Sequence, residues 1–303
     1  MKFYSHGKLL ITGEYAVLDG AKALALPTKY GQSLEVTPGE KGKLSWQSFD
    51  KAGTTWIKAE FHIGNDIRLA IPVASERKNL LERLQHILQK ANEVNPEVFS
   101  KDKGYNVTTS LNFDRDWGLG TSSTLINNIA DWFQIDPYKL LNKTFGGSGY
   151  DIAAARTDQP IIFQLTPSGP SVLKTQFNPA FAEELFFVHL NRKQNSREAI
   201  AHYRNQPKEN LSSLTSKISG ITDQILQSES LKDFEMLLEV HETLISKSIN
   251  LPKIKSELFP DYSGTIKSLG GWGGDFVLAT GKDKDYFLKK GYRTIIPFHQ
   301  MIL

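Results

Sequence analysis

From residue 105 to residue 113 the side chains alternate. Val107, Thr109, Leu111 and Phe113 fall on one side, and Asn106, Thr108, Ser110 and Asn112 on the other. A period of two predicts a half-buried strand. The run then breaks into Trp117-Gly118-Leu119-Gly120-Thr121-Ser122-Ser123. A helical period follows, with Leu125, Ile126, Ile129, Ala130 and Phe133 on one face. Strand, glycine turn, hydroxyl run and helix in that order can aim free backbone N–H groups and a helix N-terminus at a phosphate. Thr121, Ser122 and Ser123 can cap the helix, bond phosphate oxygens or reach a metal ion. The plain alternative is a capped helix after a glycine turn. A P-loop is excluded because no lysine follows Gly120. A dinucleotide fingerprint is excluded because its third glycine would stand at Ser123.

The early chain is strand-rich. Leu9, Leu10 and Ile11 form a short buried strand, followed by turns at Thr12-Gly13-Glu14 and Asp19-Gly20. Residues 23–26 read as a strand ended by Pro27, and alternation resumes over 30–37. Lys8 and Glu14, beside the first turn, read locally as a surface pair of little energetic weight. Trp46, Trp56 and Phe61 mark further strands, one of them over 54–61. From Asn79 the period becomes helical through Leu80, Leu81, Leu84, Ile87, Leu88 and Ala91, with Ser75 or Asn79 as the cap.

Asp136-Pro137 opens a short helix over 138–143. A second glycine cluster, Gly146-Gly147-Ser148-Gly149, delivers Asp151 to the start of an alanine-rich helix. That aspartate is either the N-cap or a carboxylate placed to take or orient a hydroxyl proton. Residues 160–165 and 185–190 read as strands, with His189 a core or edge residue. Asn195 and Glu198 have capping-box spacing before a helix through Ala199, Ile200 and Tyr203. Residues 211–249 are helical, and Phe234, Leu238, His241 and Ile245 lie on a packing face. His241-Glu242 has no second histidine at metal-ligand spacing, which argues against a zinc helix. Gly270, Gly271, Gly273 and Gly274 then precede Asp275 and a buried strand. So many glycines predict backbone laid against a ligand or another loop. A helix and a strand over 293–296 complete the pattern.

Composition narrows the possible partners. The 303 residues are 40% hydrophobic and 23% charged, the balance of a folded protein of one large or two modest domains. A net charge of +3 without a dense basic run gives nucleic-acid binding no support. The absence of cysteine excludes disulfides and thiolate metal sites. No apolar run is long enough to span a bilayer, and residues 1–6 turn polar too soon for a signal peptide. A cytoplasmic location is the expectation.

Taken in order, the glycine-bearing segments resemble the motifs of the GHMP small-molecule kinases, the superfamily of galactokinase, homoserine kinase, mevalonate kinase and phosphomevalonate kinase. Residues 8–20 resemble the first motif in its mevalonate and phosphomevalonate form. The galactokinase version, Gly-Glu-His-Thr-Asp-Tyr, is absent. Residues 118–123 resemble the phosphate-binding motif. Residues 270–279, with Gly-Gly-Asp before a short apolar strand, resemble the third motif of phosphomevalonate kinases. Ser148-Gly149-Tyr150-Asp151 is similar to the segment carrying the catalytic aspartate of mevalonate kinases.

The resemblance implies an α+β fold of two domains. Residues 1–185 would form a nucleotide-binding domain of ribosomal-protein-S5-domain-2-like type. Residues 186–303 would form a ferredoxin-like α/β sandwich. It implies ATP and Mg²⁺ as cofactors and a small, anionic acceptor, with neither nucleic acid nor membrane as partner. By the same resemblance Asp151 is the base or orienting carboxylate, and Lys8 stabilises charge near the acceptor oxygen. Ser122 binds metal and phosphate. Gly118, Leu119, Gly120, Thr121, Ser122 and Ser123 cradle the triphosphate, and Gly271, Gly273 and Gly274 support that loop.

The chain departs from the pattern in three places. Asp114-Arg115-Asp116-Trp117 stands where the second motif usually carries a proline. Leu140, Leu141 and Asn142 occupy the region where mevalonate kinases place a metal-binding glutamate. Trp272 replaces a small residue and is expected to narrow the nucleotide cleft. The implied activity is ATP-dependent phosphoryl transfer to a hydroxyl or phosphate of a small metabolite, mevalonate or phosphomevalonate first. The alternative is a nucleotide-binding or sensor relative that has lost turnover, which the missing glutamate favours. A diphosphomevalonate decarboxylase fits less well, since its phosphate loop is serine-rich.

Overall fold

The alternating stretch at 105–113 forms a strand over Tyr105–Leu111 in the computed structural model, which describes residues 1–64, 66–70, 75–100, 102–207 and 210–303, without the side chains of 75–77. The chain divides into two units. The first comprises Met1–Gly7, Tyr30–Arg115 and Gly120–Arg156; the second comprises Lys8–Lys29, Asp116–Leu119 and Thr157–Leu303. Strands β1 (Lys2–Leu10) and β2 (Ala23–Pro38) each contribute residues to both.

The first unit adds β3 (Lys43–Phe49), β4 (Thr55–His62), β5 (Arg68–Leu69), α1 (Ser75–Val94), β6 (Tyr105–Leu111), α2 (Thr121–Phe133), α3 (Pro137–Thr144) and α4 (Tyr150–Ala155). Its strands run in the order β5-β4-β3-β6-β2, with β3 and β6 parallel. Val107, Thr109, Leu111 and Phe113 are buried as the alternation requires. Leu81, Leu84, Ile87, Leu88 and Ala91 of α1 and Ile126, Ile129 and Phe133 of α2 pack with Trp46, Phe61 and Phe99 into one core. The Ser75 side chain, one of the two expected caps of α1, lies outside the described residues. Asp136 caps α3, accepting the Tyr138 N–H at 2.9 Å, with Pro137 in the first turn.

Pro27 does not end a strand. β2 runs through it from Ala23 to Pro38. Ala23–Ala25 pair with β7 and Gln32–Pro38 with β6, so Pro27 falls between these two ladders, and β1 also pairs with β2.

The second unit adds β7 (Ile161–Thr166), β8 (Gly169–Lys174), β9 (Leu185–His189), α5 (Ser196–Arg204), α6 (Leu211–Leu226), α7 (Leu231–Ile249), α8 (Ile254–Leu258), β10 (Ile266–Ser268), β11 (Phe276–Thr280), α9 (Lys284–Lys289), β12 (Ile295–Pro297) and α10 (Phe298–Met301). The antiparallel sheet β10-β11-β9-β12 and helices α6 and α7 enclose Phe186, Val188, Ile218, Ile245, Phe259, Val277 and Phe287. The helical run expected over 211–249 is two helices, and Ser230 caps the second by accepting the Asp233 N–H at 3.1 Å. Asn195 caps α5 through the Arg197 N–H, while Glu198 bonds the Asn195 side chain. His189 is buried in β9, with its Nε2 3.0 Å from the Asp116 carbonyl. Among the described residues no helix is long and apolar enough to cross a membrane.

Candidate active site

Two glycines start the two short segments that carry the candidate chemistry of the first unit. Gly120 is the N-cap of α2 at φ +92°, and Gly149 is the N-cap of α4 at φ +87°; neither helix receives a side-chain cap. Ser122 and Asp151 are therefore each the second residue of a helix; in α4 the Tyr150 N–H donates to Ser148 Oγ at 3.5 Å and the Ile152 N–H to Asp151 Oδ1, so it is α2 whose leading N–H groups are left to another partner. The expectation that the hydroxyl run caps α2, and the N-cap reading of Asp151, are both corrected here, because a glycine holds each cap position.

The hydroxyl run divides its labour. Ser123 Oγ donates to the Gly120 carbonyl at 2.8 Å, and Thr124 Oγ1 donates to Gln32 Oε1 at 2.7 Å, so both are spent on the fold. Ser122 is exposed, and its hydroxyl has no partner among the described residues. Helices α2 and α4 are joined by Asn127, whose Nδ2 donates to the Ile152 carbonyl at 3.0 Å. Asp151 is half-buried, and its Oδ1 accepts the Ile152 N–H at 3.0 Å. The Tyr138 phenol lies near it. Burial pushes that phenol up to about 12; Arg156 opposes the shift, and Asp136 and Asp151 add to it.

The second unit holds Lys8, Gly118, Leu119 and the third glycine run. The Lys8 N–H donates to the Leu119 carbonyl at 3.0 Å, and Lys8 Nζ donates to the Gly118 carbonyl at 3.3 Å. Lys8 thus follows the glycine loop with both backbone and side chain. Gly271 and Gly274 lie against Gln194: a Cβ built on either would come within 2.5 and 2.9 Å of that side chain. Of the two occupants expected for this run, a loop is the one found. Trp272 lines a cavity of the second unit beside Arg192, Gln194, Ile254 and Gly273. Its indole is buried in the second core and donates to the Pro252 carbonyl at 2.9 Å, while its backbone N–H donates to the Tyr15 hydroxyl at 3.0 Å.

The surface-pair reading of Glu14 is overturned. Glu14, Lys267, Glu242 and His241 form a fully buried cluster. Lys267 Nζ lies 2.6 Å from Glu14 Oε1 and 3.1 Å from Glu242 Oε1. Glu242 also accepts the Ser268 N–H at 3.2 Å. His241 Nε2 accepts the Gly13 N–H at 3.0 Å, which leaves the proton of a neutral ring on Nδ1. Burial holds His241 well below its ordinary value, helped by the Lys267 charge, so its 3.4 Å approach to Glu14 Oε2 is no ion pair. Burial also lifts Glu14 to about 7 against the pull of Lys267. The cluster ties the first glycine turn to the strand that leads into the third glycine run. The available sequence signal was His241 and Glu242 on the buried stripe of α7.

The residues suit a phosphate better than a prebuilt metal centre. Uncapped N–H groups and the unspent Ser122 hydroxyl can meet phosphate oxygens. Among the described residues no group of three or more His, Asp or Glu is arranged for a metal ion.

No family model matches the chain, and no curated protein matches it by sequence. Solved structures do match it by fold. The mevalonate kinase of L. major in complex with R-mevalonate superposes with a TM-score of 0.66 at 16% identity, over 97% of this chain and 94% of that one. The Streptococcus pneumoniae phosphomevalonate kinase in complex with phosphomevalonate and AMPPNP gives 0.66 at 14% identity, over 95% and 94%. The Lactococcus lactis galactokinase complexed with galactose gives 0.67 at 12% identity, over 98% and 93%. The chain has the α+β fold of the GHMP kinases.

Proposed function

We propose that this protein is an ATP- and Mg²⁺-dependent kinase that phosphorylates a hydroxyl or phosphate group of a small anionic metabolite, with mevalonate or phosphomevalonate as the leading acceptor. The observation that carries this reading is the free Ser122 hydroxyl in the first turn of an uncapped helix, beside two hydroxyls committed to the fold. The fold shared with mevalonate and phosphomevalonate kinases supports it.

Phosphoryl transfer needs positioning and charge stabilisation more than covalent chemistry. The backbone of 118–123 holds the triphosphate, with Gly271, Gly273 and Gly274 supporting it. Lys8 stabilises charge near the acceptor oxygen, and Asp151 takes or orients the acceptor proton. Mg²⁺ neutralises phosphate charge when bound, and Ser122, phosphate oxygens and water suffice as its ligands.

An ADP-release screen with ATP and Mg²⁺ against mevalonate-pathway and sugar acceptors tests the proposal. Acceptor-dependent ADP release is expected. A second reading, a nucleotide-binding relative without turnover, draws on Leu140 and Leu141, which are buried apolar residues on α3 where the resemblance implies a metal-binding glutamate. Nucleotide binding without ADP release from any acceptor would establish it.

A further inference from the structure

His189 ends β9 and has no part in the roles given above. It stands opposite Phe276 in the register of β9 and β11, and only 7% of it is exposed. Both ring nitrogens are engaged. Nδ1 accepts the Asn191 N–H at 3.3 Å, and Nε2 lies 3.0 Å from the Asp116 carbonyl oxygen. A backbone N–H can only donate, so Nδ1 is the bare nitrogen. The neutral ring then carries its proton on Nε2 and donates it to the Asp116 carbonyl.

Asp116 lies two residues ahead of Gly118, in the segment that departs from the usual proline. A proline fixes φ from within the chain. Here a constraint reaches the segment from β9. The next residue packs onto the same strand pair. The Trp117 ring meets the buried Phe276 ring edge-on, with centroids 5.5 Å apart, and the His189 ring meets it at 5.1 Å. One phenyl of β11 thus carries both the indole and the imidazole. Asn191, at φ +56°, turns the chain out of β9, and its N–H holds the far side of the imidazole.

We infer that His189 is a positioning residue for the approach to the phosphate loop: its Nε2–H holds the Asp116 carbonyl, and with it the direction in which the chain enters Gly118. The imidazole does this through one tautomer, fixed by Asn191 on its other nitrogen. The consequence for nucleotide binding rests on the kinase reading; the bond to Asp116 does not.

The test compares three variants of the full-length protein. His189→Gln keeps an N–H donor near the Nε2 position. His189→Leu keeps bulk without a donor. His189→Asn keeps an acceptor for Asn191 and is too short to reach Asp116. Each is labelled with ¹³C-carbonyl aspartate and ¹⁵N tryptophan. Two Asp–Trp peptides, 116–117 and 131–132, then give cross-peaks; Asp116→Asn assigns the first by its loss, and the second is the internal control. The Asp116 carbonyl resonance is expected to move in the Leu and Asn variants and to stay near the parent's in the Gln variant. AMPPNP affinity, measured well below the melting temperature, is expected to fall on the order of tenfold in the first two and to recover in the third. Loss of packing alone would lower the melting temperature without this pattern. The Asn variant serves if the Leu variant fails to fold. An Asp116 resonance unmoved in a folded Leu or Asn variant overturns the inference, and so does a moved resonance at the parent's AMPPNP affinity. A moved resonance in a protein whose parent binds no AMPPNP upholds the bond and removes the kinase reading instead.

Discussion

The Lys267 ammonium meets the Glu14 carboxylate at 2.6 Å with neither side chain exposed to solvent, although 253 positions separate them in the chain. Glu242 holds the same ammonium from α7 at 3.1 Å. A buried pair of this kind says little about net stability, but removing one partner strands the other. Lys267→Met is expected to cost about 3–5 kcal/mol in denaturant unfolding at pH 8. The cost shrinks at pH 5, where the stranded carboxyls can take up protons. A cost below about 1 kcal/mol at pH 8, the scale of an exposed pair, contradicts the assignment.

Glu14 sets a pH dependence of definite sign. Its folded-state value, about 7, lies above the ordinary 4.5. The folded protein therefore binds this proton more tightly than the unfolded chain. The stabilisation is fully present below pH 4.5 and is lost as pH rises through about 7. Glu14→Gln mimics the protonated form, so parent stability relative to this variant should decline across that window and level off above it. His241 works the other way. Its depressed value gives stability that is present above about 6.5 and lost as pH falls, and His241→Gln should remove that acid-side loss. Unfolding curves from pH 5 to 8 that keep the parent's slope in both variants exclude these assignments.

Gly118 cannot accept a side chain without moving Asp275. Gly118→Ala places a methyl carbon 2.1 Å from Asp275 Cγ and holds alanine at φ +66°. A loss of roughly 1–3 kcal/mol from the backbone strain alone is expected, with the clash added. In an Asp275→Gly background the clash disappears. A double-mutant cycle on thermal unfolding should then return a coupling of at least about 0.5 kcal/mol, and additive effects would show that the two residues do not touch.

Ser122 and Ser123 should separate cleanly. Ser122→Ala removes an exposed hydroxyl with no partner among the described residues, so stability should stay within about 0.5 kcal/mol. ATP-dependent turnover should fall by about two orders of magnitude. Ser123→Ala removes a buried hydroxyl bonded to Gly120 and should lower the melting temperature instead. Equal effects of the two changes on turnover and melting would contradict this division.

What the sequence disclosed was local. β6 and α2 were legible because period two and period 3.6 each survive over several residues, and the start of α3 because a proline suits the first helical turn. The tandem glycines forecast a backbone laid against a ligand or another loop, though not that Gln194 would be the residue met. The buried cluster escaped because Glu14 finds its cation on β10 and its histidine neighbour on α7, and no local pattern links the three. Yet His241 and Glu242 share a helical stripe with Leu238 and Ile245, where an ionisable pair stays buried only if something answers it. Asp151 misled as a cap because aspartate is common there, whereas Gly149 already turns the chain into the helix.

The kinase reading meets its most direct test in acceptor-dependent ADP release by the parent protein and Asp151→Ala, compared at matched AMPPNP affinity. The parent should release ADP with ATP, Mg²⁺ and a mevalonate-type acceptor. The variant should lose that turnover by about 100-fold or more while binding AMPPNP with nearly unchanged affinity. Turnover by the variant at the parent's rate would contradict the account.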